Sequence, residues 1–169
     1  MGVSGSGKTT FGQALAAAID LPFLDGDDLH TPEAKSKMRA GIALNDADRA
    51  PWLDRIGAEL ADDLAHPRGA IVACSALRRA YRDRLRASVG SGLRFVFLDG
   101  DKELMRRRVA GRRGHYMPAS LIDSQFATLE RPDGESDVVT IAADADLAFA
   151  VTEAIRRLAA ADQIWQSRG

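Results

Sequence analysis

Residues 2–9 constrain the chain more than any other segment. They read Gly-Val-Ser-Gly-Ser-Gly-Lys-Thr and fit the pattern G-x-x-x-x-G-K-[ST] without a mismatch. Glycines in this pattern let the backbone curl so that successive N–H groups point at phosphate oxygens, and the following helix adds its positive dipole end. A helical apolar pattern over 7–19 stands where the motif requires one. The sequence therefore predicts a phosphate-binding loop whose nucleotide-binding residues are Gly2, Val3, Ser4, Gly5, Ser6, Gly7, Lys8, Thr9 and Thr10.

Two side chains of the loop and two nearby carboxylates suggest phosphoryl transfer. Lys8 would place its charge against the β and γ phosphates, and Thr9 would put its hydroxyl on Mg²⁺. The run Leu-Asp-Gly-Asp then predicts Asp25 and Asp27 at the end of the next strand, facing the loop. Asp25 could orient Mg²⁺ or accept the proton of an attacking hydroxyl, while Asp27 could bind a polyhydroxy substrate. Lys8 and Asp25 are therefore candidate catalytic residues, and Thr9 and Asp25 candidate metal ligands.

Composition excludes several other classes. The 169 residues carry 23 basic and 24 acidic side chains, a net charge of −1. This balance argues against a nucleic-acid or anionic-membrane partner, since a protein that binds either one usually carries a strong excess of basic residues. The single cysteine, Cys74, cannot form an internal disulfide, so the expected location is the cytoplasm. No apolar run approaches the roughly 20 residues of a membrane span.

Strand-like and helical patterns alternate along the chain, which predicts an α/β fold with a parallel sheet of about five strands and helices on both faces. A phosphate loop normally follows a buried central strand, but only Met1 precedes it here. We therefore expect either that a first strand is missing from this sequence or that the sheet is one strand short. The predicted strands lie over 21–24, 70–74, 93–98 and 138–141, and the helices over 7–19, 32–40, 46–65, 77–87, 101–110, 118–129 and 147–160.

The motifs together resemble the bacterial gluconokinases, which are relatives of shikimate kinase among the nucleoside-monophosphate-kinase-like P-loop kinases. The resemblance covers nearly the whole chain, and DGDxLH, NDxDRxPWL and CSALxxxYRD in this order are its specific part. Shikimate kinase would carry a glycine run at 74–77, where this chain has CSAL. The matching stretches are GVSGSGKTT (2–10), FLDGDDLHT (23–31), KMRAG (37–41), LNDADRAPWL (44–53), CSALRRAYRDRLR (74–86) and RRGHYMPASLIDSQFATLE (112–130).

The resemblance implies a single three-layer P-loop kinase domain over 1–169 that transfers the γ-phosphate of ATP to the 6-hydroxyl of D-gluconate. The acceptor pocket would be a helical insertion at about 30–66. Gluconate has one carboxylate and five hydroxyls, so the pocket needs a basic anchor and polar partners. An Arg–carboxylate fork is directional, which favours an arginine over a lysine as the anchor. The candidate substrate residues are Asp27, His30, Lys37, Arg49, Arg82 and His115.

By the same resemblance, a lid at about 111–118 would close over ATP and exclude water. Arg108 would stack on adenine, and Arg112 would reach the phosphates as a third catalytic residue. Spacing alone does not fix which arginine of the run 106–113 acts in this way. The chain departs from the family where Ala34 and Ala43 stand in place of the frequent Asn and Pro.

Two alternatives to gluconate phosphorylation stay open on the sequence. One is another small-molecule kinase of the same fold, of the shikimate or nucleotide type. The other is a nucleotide-binding module without catalysis, although Lys8, Thr9, Asp25 and the lid arginines argue against it. The resemblance also allows a homodimer, but no apolar stripe specifies an interface.

Overall fold

The computed structural model describes residues 1–61, 69–111 and 119–166. Strands and helices alternate along these residues, as predicted. The strands are β1 (Phe23–Asp25), β2 (Ile71–Ala73), β3 (Phe95–Asp99) and β4 (Val138–Ala142), and a short 3-10 turn, Gly26–Leu29, follows β1. The helices are α1 (Lys8–Ala18), α2 (Pro32–Arg39), α3 (Asp46–Ala61), α4 (Arg79–Val89), α5 (Lys102–Ala110), α6 (Ala119–Thr128) and α7 (Leu147–Gln166).

The strands pair in parallel, β1 with β2 and β3 with β4. Met1 lies between the two pairs: its amino group donates to Val96 O, and its carbonyl accepts from Leu98 N at 3.0 Å. The next residue reaches the other pair, because Gly2 N donates to Ser75 O at 3.2 Å. The described residues therefore form four strands in the order β1-β2, Met1, β3-β4, and Met1 stands at the central position.

Helices cover both faces of the sheet, which gives the predicted three layers. Phe95 packs into a cluster with buried side chains of α3 and α4, including Trp52 and Leu85. Its neighbour Val96 packs against a second cluster that contains buried side chains of α1 and α7, such as Leu15. Because successive residues of a strand point to opposite faces, the two clusters lie on opposite sides of the sheet.

Two helix starts depend on backbone conformation that the apolar pattern did not show. α4 begins at Arg79 rather than at residue 77, since its N-cap residue Arg78 has an extended backbone with φ of −95° and ψ of 150°. α1 begins at Lys8 directly after Gly7, whose φ of +90° suits a residue without a side chain.

A cavity of about 430 Å³ separates the two strand pairs behind Met1. Apolar side chains of α1, α3 and α4 line it, together with β2 and β3. The cavity extends along the whole of β2. An extended segment continuing upstream from Met1 would therefore run parallel to both neighbouring strands. Such a segment would offer ladder hydrogen bonds and apolar contacts to β2 and β3.

Adding about four β-branched residues upstream of Met1 should therefore raise the melting temperature, since each buried Val or Ile contributes about 1.5–3 kcal/mol. Thermal unfolding followed by circular dichroism would measure the effect. A Gly-Ser extension of equal length is the control, because it offers the backbone but no apolar side chains. Equal melting temperatures for the two extensions would show that the cavity behind Met1 does not accept a strand.

Candidate active site

The phosphate loop curls as the motif predicts, and two of its glycines are needed for its shape. Gly5 and Gly7 have φ of +84° and +90°, a region that side chains disfavour. A Cβ on Gly5 would also meet Met105 O at 3.0 Å, so α5 packs directly against the loop. Lys8 Nζ folds back over the loop and donates to Val3 O at 3.0 Å.

Thr9 and Asp25 are brought together, as a shared metal site requires. Thr9 Oγ1 donates to Asp25 Oδ2 at 2.9 Å, and Asp27 N donates to Asp25 Oδ1 at 3.1 Å. Both oxygens of the Asp25 carboxylate are thus fixed, one toward α1 and one in the turn after β1. A hydroxyl and a carboxylate are oxygen ligands of the type that Mg²⁺ prefers. Within the described ranges no cluster of three or more His, Cys, Asp or Glu residues could hold a metal ion.

Asp27 lies next to Thr9 and Asp25, and the pKa of its carboxyl group is shifted. Its side chain reaches solvent, but the surrounding protein desolvates it and raises its pKa above the ordinary value. The Lys8 ammonium opposes this shift, while the charges of Asp25 and Asp28 add to it. A carboxylate with a raised pKa is a better proton acceptor, and such shifts are common at functional sites.

His30 and Trp52 form a buried stack beneath this turn. Their ring centroids lie 4.3 Å apart with an interplanar angle of 12°, and Trp52 Nε1 donates to Gly26 O at 2.6 Å. Burial, assisted by the charges of Arg49 and Lys35, lowers the pKa of His30 to about 4, so the imidazole is neutral near pH 7. His30 Nδ1 is buried and has no hydrogen-bond partner among the described residues.

The other predicted sugar-binding residues differ in their surroundings. Arg49 lies over the Tyr81 ring at 5.6 Å and donates to Leu44 O, while Lys37 pairs with Asp48 at 2.6 Å. Arg82 is only 1% exposed. Its guanidinium donates to Glu135, Ala76 O and Leu77 O. The Arg82 hydrogen bonds hold the pKa of Glu135 to about 2. These contacts tie α4 to the loop before β4 and do not support a substrate role for Arg82.

Arg108 lies against the phosphate loop, where NH1 approaches Gly5 O at 3.5 Å. It lines a cavity of about 340 Å³ together with Thr10, Phe11 and the segment after β4, including Ala143. This volume suits a planar base beside the loop. Of the remaining predicted residues, Arg112, His115 and nearly all of the lid lie outside the described residues, as does the end of the insertion after residue 61.

Sequence reasoning missed several contributors because their contacts join distant segments. Gln125 of α6 accepts a hydrogen bond from Ser4 N at 2.6 Å and so supports the loop. Arg49 contacts the Tyr81 hydroxyl, which donates to Asp46, and Asp46 also accepts from Arg78. The motif CSALxxxYRD contains two of these residues, but nothing in its spacing indicated their partners.

A parallel α/β sheet, a phosphate loop and a carboxylate pair at the end of the neighbouring strand together define a P-loop kinase. Residues 1–132 match a family described as an AAA domain. The chain is 44% identical to the thermosensitive gluconokinase of Escherichia coli K12 over 93% of its own length and 83% of the relative. It is 41% identical to a Gluconobacter oxydans gluconokinase, with 96% and 90% covered. A crystal structure of a Sinorhizobium meliloti gluconokinase superposes with a TM-score of 0.89 at 46% identity, covering 100% of this chain and 95% of the other.

The chain thus belongs to the gluconokinase family, whose members are ATP-dependent carbohydrate kinases. This finding confirms the resemblance drawn from the motifs and the predicted fold class. In the part of the chain that the structure describes, no helix is long and apolar enough to cross a membrane.

Replacing His30 by Gln should flatten the loss of stability on acidification. Unfolded His30 takes up a proton as the pH falls through 6.5, whereas the folded imidazole stays neutral down to about 4. The unfolded state therefore binds more protons in this window, and acid favours unfolding. Melting temperatures of both proteins across the window measure the effect. Carboxylates paired with arginine, such as Glu135, have folded-state pKa values below this pH window. They are present in both proteins, so they do not affect the comparison. Identical pH slopes would show that His30 is not a buried neutral base.

Proposed function

We propose that this chain transfers the γ-phosphate of Mg²⁺-ATP to the 6-hydroxyl of D-gluconate. The observation that carries the proposal is the contact between Thr9 and Asp25, which joins the phosphate loop to the segment that bears Asp27 and His30. Triphosphate and sugar acid would then meet at one place, the end of β1. Membership of the gluconokinase family supports the choice of acceptor.

Thr9 and Asp25 would hold the metal ion. When bound, Mg²⁺ neutralises charge on the β and γ phosphates as the transfer proceeds. Because both Asp25 oxygens are already fixed by Thr9 and by the turn, Asp25 serves to position the metal side of the site. Of the two roles that the sequence left open for Asp25, the structure favours this one.

Asp27 would accept the proton of the attacking hydroxyl. Desolvation by burial raises the pKa of its carboxyl group, which favours proton uptake, and Lys8 lies within electrostatic reach of it. The Lys8 ammonium would bind the phosphates, and Arg108 would flank the base on the other side of the loop. Arg112 and His115 of the lid remain predictions for charge stabilisation and substrate binding.

The sugar chain would lie along the insertion that follows β1. Neutral His30 lies at the start of this insertion, and Arg49 would offer a guanidinium to the carboxylate. Lys37, held by Asp48, stands at the neighbouring helix end. We place the reaction in the cytoplasm, where a buried, unpaired thiol such as Cys74 stays reduced.

A coupled assay of ADP release tests the proposal directly. The acceptors are gluconate, shikimate, glycerate and the nucleoside monophosphates, each with Mg²⁺-ATP. Turnover with gluconate and not with the others is the expected result. Turnover with another acceptor would reassign the substrate, and nucleotide binding without any turnover would favour the non-catalytic module.

Asp27→Asn should lower kcat by about 10²-fold or more, because an amide cannot accept the proton. The KM for ATP should not change, since Asp27 is assigned to the acceptor. Steady-state kinetics with gluconate measure both values, and circular dichroism verifies the fold. Asp28→Asn is the matched control, because it removes a neighbouring exposed carboxylate from the same turn. A variant that keeps the wild-type kcat would exclude Asp27 as the proton acceptor.

A further inference from the structure

Asp46, the first residue of α3, occupies a basic cluster at the N-terminal ends of α3 and α4. Arg78 NH1 donates to both of its carboxylate oxygens, at 2.8 and 3.2 Å. The Tyr81 hydroxyl donates to its Oδ1. Two different side chains of the α4 region therefore converge on one carboxylate supplied by α3.

Arg49 adds a second guanidinium to the cluster. The Arg49 and Arg78 guanidiniums lie 5.6 and 5.9 Å from the centroid of the Tyr81 ring. Arg49 NH1 also lies 3.4 Å from the Tyr81 hydroxyl. Two guanidiniums and a phenol are groups that bind carboxylates through charge-assisted hydrogen bonds. A carboxylate that enters this cluster would meet Arg78 and Tyr81, the two partners of Asp46, with Arg49 beside them.

The Asp46 contact is one that a ligand can replace. Its side chain is 63% exposed, and that of Arg78 is 41% exposed. Exposed ion pairs contribute little to stability, since water competes for both partners. The pair formed by Arg82 and Glu135 differs, because those side chains are only 1% and 9% exposed. Breaking that buried pair would leave a charge without compensation.

The cluster also lies beside the acceptor segment. Arg49 and Trp52 stand three residues apart on α3 and so share one face of the helix. Trp52 stacks on His30, and the charge of Arg49 contributes to the low pKa of His30. An extended sugar acid with hydroxyls near His30 would therefore have Arg49 within reach of its far end.

We propose that Arg49, Arg78 and Tyr81 form the carboxylate-binding site for the acceptor, and that Asp46 occupies this site until the substrate displaces it. The inference rests on the proposed function and deepens it, because it assigns the acid end of the substrate to a site and names Arg78 as a specificity residue. Discrimination between a sugar acid and a neutral polyol arises here, while the phosphoryl acceptor end lies at Asp27.

Isothermal titration with D-gluconate and D-glucitol tests the assignment, because glucitol keeps a six-carbon polyol chain but carries no carboxylate. Arg78→Gln should weaken gluconate binding by about tenfold or more and leave glucitol binding unchanged. Asp46→Asn should tighten gluconate binding by up to about fivefold, since it removes the competing carboxylate. Arg84→Gln is the matched control, because Arg84 also lies on α4 and pairs with the exposed Asp54 of α3 at 2.6 Å. It should change neither affinity.

Unchanged gluconate affinity in Arg78→Gln would overturn the proposal, and so would weaker gluconate binding in Asp46→Asn. The second variant keeps the test decisive if the first one fails to fold. Wild-type turnover separates this failure from that of the proposed function. A wild type that does not phosphorylate gluconate overturns the function, whereas normal turnover with unchanged affinity in Arg78→Gln overturns only the carboxylate site.

Discussion

The hydrogen bond between Thr9 and Asp25 is the contact on which the rest of the site depends. It links the first turn of α1, which carries the phosphate loop, to the end of β1, which leads into the acceptor segment. Because Asp25 also accepts from Asp27 N, the same carboxylate sets the path of the turn that presents Asp27. A single side chain thereby relates the metal and phosphate side of the site to the side that receives the sugar.

Burial, rather than close charge pairing, controls the chemistry of the acceptor side. Desolvation raises the pKa of Asp27 and lowers that of His30, so one group becomes more basic and the other stays neutral. Trp52 makes this possible, since it supports His30 by stacking and holds Gly26 through its indole N–H. The aromatic residue therefore acts as the floor of the proposed sugar site, in agreement with its buried position.

Local patterns predicted those parts of the site that depend on neighbouring residues. The glycine spacing predicted the loop, and the carboxylates after a short apolar run predicted the position of Asp25 beside Thr9. Contacts between distant segments were not predictable in this way, because they depend on how the helices pack. Arg82 illustrates the point: its motif suggested a substrate anchor, but it pairs with Glu135, 53 residues away. The Arg78 and Asp46 pair, 32 residues apart, was missed for the same reason.

The most direct test of this account is a crystal structure of the protein with Mg²⁺, a non-hydrolysable ATP analogue and gluconate. We predict that Thr9 and Asp25 flank the metal ion, that the 6-hydroxyl of gluconate hydrogen-bonds to Asp27, and that its carboxylate lies between Arg49 and Arg78. A sugar bound in the opposite direction, or a metal ion away from Thr9 and Asp25, would contradict the claim that their contact joins the two halves of the site.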